Sequence, residues 1–199
     1  MTGRTIRHGI IDSRFLLDAY CSGFFPMADE ATAEIRWFSP DPRGILDLDE
    51  FSIPRSLRQA IRKGSMSIRI NEQFEVVMRE CSRRKETWIS EDLIKSYAHL
   101  HELGFAHSVE AWSGEDFAGG LYGVAIGGAF FGESMVSLRR DASKVALAAL
   151  VERLKERGYE LLDTQYMTPH LRRFGGREIP RAEYMKRLGS AIQKQCTFI

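Results

Sequence analysis

The chain has 199 residues, 44% apolar, 11% aromatic and 28% charged, with a formal net charge of +1. This length fits one or two globular domains with a real core, the aromatic content without long polar tracts excludes a disordered chain, and the lack of any apolar run of about 18 residues excludes a membrane-spanning helix. The opening MTGRTIRHGIIDSR lacks the apolar segment of a secretory leader, and Cys21, Cys81 and Cys196, odd in number and far apart, fit a reducing cytoplasm better than a disulfide framework or a zinc site.

Asp12 or Ser13 caps a helix running to Cys21, with Phe15, Leu16, Ala19 and Tyr20 on one face and Gly23 closing it. The next stretch, FFPMADEATAEIRWFSPDPRGI, is expected to be irregular, because Pro26, Pro40 and Pro42 interrupt regular pairing. Its aromatics suit a binding loop or a plain connector. Gly44 to Leu48 reads as a short strand, after which Ser52 caps a helix with Pro54 in its first turn, ending before Gly64. Arg55, Arg58 and Arg62 share one face of that helix. Residues 1–50 hold 5 Lys/Arg against 9 Asp/Glu, whereas 52–71 hold Arg55, Arg58, Arg62, Lys63 and Arg69 with no acid. The near-neutral total thus conceals a basic patch, fit for a polyanion or for simple solvation.

Ser67–Ile70 alternates as a strand, and Gln73 to Lys85 is helical with Phe74, Val77, Met78 and Cys81 inward. Ser90-Glu91-Asp92 starts a helix that runs to Leu103 and stops at Gly104. Three β segments follow, AHSVEAW, DFAGGLYGVAI and GAFFGESMVS, punctuated by Gly114 and Gly127-Gly128. A helix Asp141–Arg157, a strand YELLDTQY and two short tail helices, the second started by Pro180, complete the order. The succession is an α+β class with an antiparallel centre and a late helix crossover.

Alternation in LLDTQY points Leu161, Asp163 and Gln165 one way and Leu162, Thr164 and Tyr166 the other. A carboxylate on an otherwise apolar strand must be solvated, hydrogen-bonded or paired. The pair reads either as a solvated edge or as a carboxylate and an amide aimed into a cleft, able to hold an ammonium group or to orient an amine and help shed its proton. Glu133, inside GAFFGESM, is a second acid, suited to a cationic substrate group or to an ion pair with Arg139 or Arg140. Leu147, Leu150 and Leu154 form a helical stripe that reads as core or as one wall of an apolar pocket. His8, His99, His101, His107 and His170 show no metal-ligand spacing, and neither a nucleophile elbow nor a phosphate loop occurs.

The strings GFFPM (23–27), WFSPDPRGIL (37–46), TWI (87–89), LHELGFAHSVEAW (100–112), GGLYGVAIGGAFFGESM (119–135), ASK (142–144), LLDTQ (161–165) and EIPR (178–181) occur in that order. Together they resemble the leucyl/phenylalanyl-tRNA–protein transferase family over nearly the whole chain. The resemblance implies a small N-terminal domain and linker over 1–42 and a GNAT-like catalytic domain, a mixed sheet with flanking helices, over 43–199. It implies an enzyme of the N-degron pathway, a cytoplasmic monomer without cofactor, metal or membrane association. Leucine, phenylalanine or methionine would pass from aminoacyl-tRNA to the N-terminal amine of proteins beginning with Arg or Lys, marking them for degradation. A tRNA-dependent transferase with a small-molecule acceptor is the alternative.

Carried over onto matching positions, the resemblance makes Asp163, Gln165 and Glu133 catalytic. It makes Leu121, Phe130, Leu147, Leu150, Leu154 and Leu162 the pocket for the transferred side chain. Trp88, Met27, Arg55, Arg62, Lys63, Tyr20 and Tyr97 fall on the tRNA side, with Trp88 stacking the terminal adenosine. Met27 departs from the tryptophan frequent in the family, and Leu150 and Leu154 stand where aromatics can occur. Arg139–Lys144 contains no glycine, which disfavours the coenzyme A loop of GNAT acetyltransferases.

Overall fold

The computed structural model describes residues 9–199; His8 and most of the opening segment read above for a leader lie outside the described residues. Helix α1 (Ser13–Cys21) starts on Asp12, whose carboxylate accepts the Phe15 N–H at 2.9 Å, and it buries Leu16 and Tyr20. Strands β1 (Phe25–Ala28) and β2 (Ile35–Phe38) then pair antiparallel with Pro26 opposite Trp37, which corrects the expectation of an irregular stretch. A two-stranded ribbon has outward-facing N–H positions, and proline occupies one without losing a ladder bond. Pro40 and Pro42 fall after this hairpin, before β3 (Arg43–Leu46).

Helix α2 (Arg55–Arg62) has Pro54, not Ser52, at its cap position and no side-chain cap. Strand β4 (Ser67–Ile70) and helix α3 (Phe74–Ser82) follow, and α4 (Glu91–Glu102) is capped by Ser90, whose hydroxyl accepts the Leu93 N–H at 3.3 Å. Strands β5 (Ala106–Ser113), β6 (Asp116–Ile126) and β7 (Ala129–Ser137) form the antiparallel centre. Helix α5 (Ala142–Glu156) crosses over to β8 (Leu161–Gln165), which lies parallel to β7. The tail carries α6 (Pro169–Arg172), α7 (Arg181–Ala191) and between them β9 (Gly176–Ile179), a short edge strand on β3 that the sequence pattern does not announce. The seven-stranded sheet runs β4-β5-β6-β7-β8-β3-β9, a mixed sheet with helices on both faces, as expected of the α+β class.

One core joins α1, α3, α4 and α7 to one face; the other packs α5 and Leu57 of α2 on the opposite face. Three irregularities position the site. Strands β7 and β8 pair only along Ala129–Phe131 and Leu161–Asp163, then part. In β7, Gly132 opposes Gly123 and Ser134 opposes Tyr122, leaving Glu133 as the extra residue of a bulge. In β8, Asp163 opposes Ile45 and Gln165 opposes Gly44, leaving Thr164 over. A bulge re-aims side chains out of strict alternation. Gly44 permits this approach, since a Cβ there would lie 2.9 Å from the Tyr166 backbone. Among the described residues no helix is long and apolar enough to cross a membrane.

Candidate active site

Where β7 and β8 part, a cavity of about 330 Å³ opens. Leu121 from β6, Leu147 and Leu150 from α5 and Leu162 from β8 supply its apolar wall, while Glu133 and Gln165 supply polar groups. The leucine stripe is therefore divided. Leu147 and Leu150 face the cavity, whereas Leu154, fully buried, belongs to the core behind it. Phe130 is also fully buried behind the wall, with its ring 5.3 Å from that of Phe198. These two expected pocket residues back the wall rather than line it, because their turn of helix and strand point deeper into the core.

Glu133 is the centre of the polar side. Its Oε1 accepts the Tyr20 hydroxyl at 2.6 Å and the Gln165 Nε2–H at 2.8 Å, and its Oε2 accepts the Tyr97 hydroxyl at 3.3 Å. The Tyr20 and Tyr97 hydroxyls also contact each other. Burial raises the Glu133 carboxyl to about 7; the Tyr20 bond pulls it down and the nearby Asp163 charge pushes it up. Glu133 makes no ion pair with Arg139 or Arg140, which pair instead with Asp116 and Asp141. Tyr20 and Tyr97 are both fully buried, so these expected tRNA contacts are corrected. Phenols with no exposed surface cannot meet RNA, and their hydroxyls are turned to Glu133.

Asp163 is fully buried and lies off the cavity lining. Arg43 grips it with two bonds, Nε to Oδ1 at 2.9 Å and Nη2 to Oδ2 at 2.6 Å. Tyr184 of α7 donates its hydroxyl to Oδ2 at 2.6 Å, and the Gln165 backbone N–H donates to Oδ1 at 2.8 Å. Gln165 has a left-handed backbone, φ +62°, a conformation that costs free energy unless its surroundings hold it. Alternation alone aims Asp163 and Gln165 together into a cleft; the bulge and this backbone turn separate them. Asp163 holds the turn, and the Gln165 amide reaches Glu133.

Arg43 and Tyr184 escape the sequence reading. A buried carboxylate demands a cation, and the arginine of WFSPDPRGIL was the available signal. Arg43 is itself fully buried, donates Nη1 to the Gly23 carbonyl at 3.0 Å and lies between the rings of Phe25 (4.8 Å) and Tyr184 (4.5 Å).

Trp88 lines the main cavity and also an adjoining open hollow, where Met27 and Phe38 lie beside it. The Trp88 carbonyl accepts the Ala28 N–H at 3.0 Å, which ties this loop to β1. Arg55, Arg62 and Lys63 are exposed on α2, and among the described residues none is in an ion pair. No group of three or more His, Cys, Asp or Glu among the described residues could hold a metal ion. His107 is a core residue, its ring 4.4 Å from Phe198 and its titration lowered to about 4, chiefly by burial.

Comparison with known proteins places these residues in a family. A family model described as leucyl/phenylalanyl-tRNA protein transferase matches residues 45–189, and one for the N-terminal domain of the same proteins matches 9–41. A leucyl/phenylalanyl-tRNA–protein transferase of Rubrobacter xylanophilus is 53% identical, covering 92% of this chain and 96% of that one. Those of Maricaulis maris (51%; 92% and 87%) and Herpetosiphon aurantiacus (51%; 94% and 98%) are equally similar. A solved GCN5-related N-acetyltransferase of Sphaerobacter thermophilus is a looser likeness, 18% identical with a TM-score of 0.42 over 88% of this chain and 56% of that one.

Proposed function

This chain belongs to the leucyl/phenylalanyl-tRNA–protein transferase family, and from that premise we propose how its site carries the reaction. It is an aminoacyltransferase that moves leucine or phenylalanine from aminoacyl-tRNA to the N-terminus of a protein, the chemistry of the N-end rule. The further reading is that methionine also serves as donor, that acceptors begin with Arg or Lys, and that the enzyme works as a cytoplasmic monomer. The observation that carries it is Glu133, a buried carboxyl in the lining of a leucine-walled cavity. An apolar wall suits an uncharged side chain without a branch at Cβ, and the carboxylate suits a cationic acceptor.

The ester of aminoacyl-tRNA is already activated. The acceptor amine attacks the ester carbonyl, a C–N bond forms, the C–O bond to the ribose breaks, and the proton the amine loses ends on the departing ribose oxygen. Glu133, with its carboxyl near 7, is the group poised to take that proton. Gln165, held to it by its side-chain amide, positions the amine. Asp163 acts at one remove, keeping Gln165 in place with Arg43 and Tyr184. The Leu121, Leu147, Leu150 and Leu162 wall aligns the donor, and such alignment accounts for several kcal/mol of rate. Trp88 and Met27 hold the terminal adenosine, and Arg55, Arg62 and Lys63 meet acceptor-stem phosphates.

The test is transfer of labelled leucine from leucyl-tRNA to peptides beginning with Arg, Lys or Ala. Labelling of the Arg and Lys peptides alone is expected. Equal labelling of the Ala peptide defeats the acceptor reading, and labelling of a small amine but no peptide favours the small-molecule alternative.

A further inference from the structure

The cavity lining contains a charged side chain that neither the Glu133 network nor the leucine wall employs. Among the described residues, Arg84 is the one Lys or Arg of the lining. It is exposed, and among the described residues it is in no ion pair. Its Nη2 donates to the Met135 carbonyl. Met135 also lines the cavity, on the stretch of β7 beyond its pairing with β8. A guanidinium carries several N–H donors in a planar fork, so most of this one stays open to a ligand. Its charge also reaches the interior. Burial raises the Cys81 thiol to about 11 and the phenol of Tyr122, a lining residue, well above its ordinary value, and Arg84 opposes both shifts.

The two substrates differ in charge, and this decides which of them Arg84 meets. The acceptor brings an N-terminal amine and a cationic side chain, which a guanidinium repels. The transferred leucyl or phenylalanyl side chain is uncharged. The rest of the donor is anionic, with a phosphate joining its terminal adenosine to the nucleotide before it. Arg84 and Trp88 both stand on the loop between α3 and α4, and both line the cavity. With the adenosine stacked on Trp88, its 5′ phosphate is the nearest negative charge of the donor. A guanidinium fork matches two phosphate oxygens with parallel N–H bonds.

We propose that Arg84 is a substrate-contacting residue that binds the phosphate linking the terminal adenosine of the donor to the preceding nucleotide. This rests on the reading that places that adenosine at Trp88. The Met135 bond holds the guanidinium at the cavity, and its open N–H groups take the phosphate. Two anchors on one nucleotide, its base and its phosphate, leave the ribose and the ester it carries a single orientation.

The experiment is a cycle between protein and substrate, using an Arg-initiated peptide and leucyl-tRNA whose last internucleotide link is a phosphodiester or an uncharged methylphosphonate. Removing the charge should lower kcat/KM of the wild type by about 3–10-fold, between an exposed ion pair and a charge-assisted hydrogen bond. Arg84→Ala should lose a similar factor with the phosphodiester donor and nothing further with the methylphosphonate donor. Arg84→Lys, which keeps the charge, should recover part of the loss on the phosphodiester donor only. Additive penalties, or full activity of Arg84→Ala on the phosphodiester donor, would overturn the proposal; an arginine that only braces Met135 gives the additive result. A melting curve separates misfolding from lost contact; if Arg84→Ala unfolds, the same cycle with Arg84→Gln decides. Trp88→Ala tests the underlying reading separately and should weaken both donors alike. No effect on either removes the adenosine from Trp88 and this proposal with it, whereas additive Arg84 penalties beside a working Trp88 overturn the proposal alone.

Discussion

Arg43 and Asp163 form a fully buried, two-bond ion pair, with Nε–Oδ1 at 2.9 Å and Nη2–Oδ2 at 2.6 Å. Removing one partner leaves an uncompensated charge in the core, at a cost of about 3–5 kcal/mol. Arg43→Ala and Asp163→Ala should each show a loss of that order in urea denaturation. Arg43→Ala combined with Asp163→Ala should cost clearly less than the sum, because the second change removes the stranded charge. Additive losses would show that the pair is not coupled.

Glu133 connects pH to both stability and rate. Its folded titration near 7 stands above the ordinary 4.5. Between those values the folded protein keeps a proton that the unfolded chain has released, so stability falls as pH rises from about 4.5 to about 7 and is level above. The total is on the order of 3 kcal/mol. Glu133→Gln should flatten this slope in melting curves taken across the range. A variant that keeps the wild-type slope would assign it to another group.

The rate should follow the opposite limb. kcat/KM for the acceptor peptide is expected to climb through about pH 7 as Glu133 loses its proton. Glu133→Gln should remove the limb at about 7, leave the one at about 8 that belongs to the peptide's own amine, and lower the rate by about 10²–10⁴-fold, the usual range for a lost proton-transfer group. A rate that keeps both its size and its limb would remove Glu133 from the proton path.

Leu150 and Leu154 sit one turn apart on α5, yet only Leu150 lines the cavity. Leu150→Ala should enlarge the pocket and shift the ratio of kcat/KM for phenylalanyl- over leucyl-tRNA by about 10-fold or more toward the larger side chain. Leu154→Ala should cost about 2–5 kcal/mol of stability and leave that ratio unchanged. Equal shifts from both would place Leu154 at the wall after all.

Arg55 and Arg62 share the exposed face of α2. Arg55→Ala combined with Arg62→Ala should weaken tRNA binding and reduce the slope of log Kd against log salt by about 1.4–1.8, since each neutralised phosphate contributes roughly 0.7–0.9. An unchanged slope would return the helix to simple solvation.

The helices and the central strands were legible because their apolar periodicity and caps agree with the tertiary packing, as at Asp12, Ser90 and the AHSVEAW-to-GESMVS run. The β1–β2 hairpin was hidden by Pro26, which is harmful inside a sheet but tolerated in a two-stranded ribbon. β9 was hidden because four residues carry too little periodicity. The site residues Asp163, Gln165 and Glu133 were legible as acids and an amide in apolar strands, but their division of labour was not. Alternation assumes an unbroken strand, and both β7 and β8 carry a bulge at the site.

The sequence by itself determined the α+β class, the family, the leucine stripe on α5 and the basic face of α2. These depend on local spacing and on strings of residues, which a linear chain displays directly. Only the tertiary structure decided that Asp163 faces Arg43 and Tyr184 rather than the cavity, and that Tyr20 and Tyr97 turn their hydroxyls to Glu133. Each of these joins residues distant along the chain. Each is set by where strands bulge and part, and no periodicity records that.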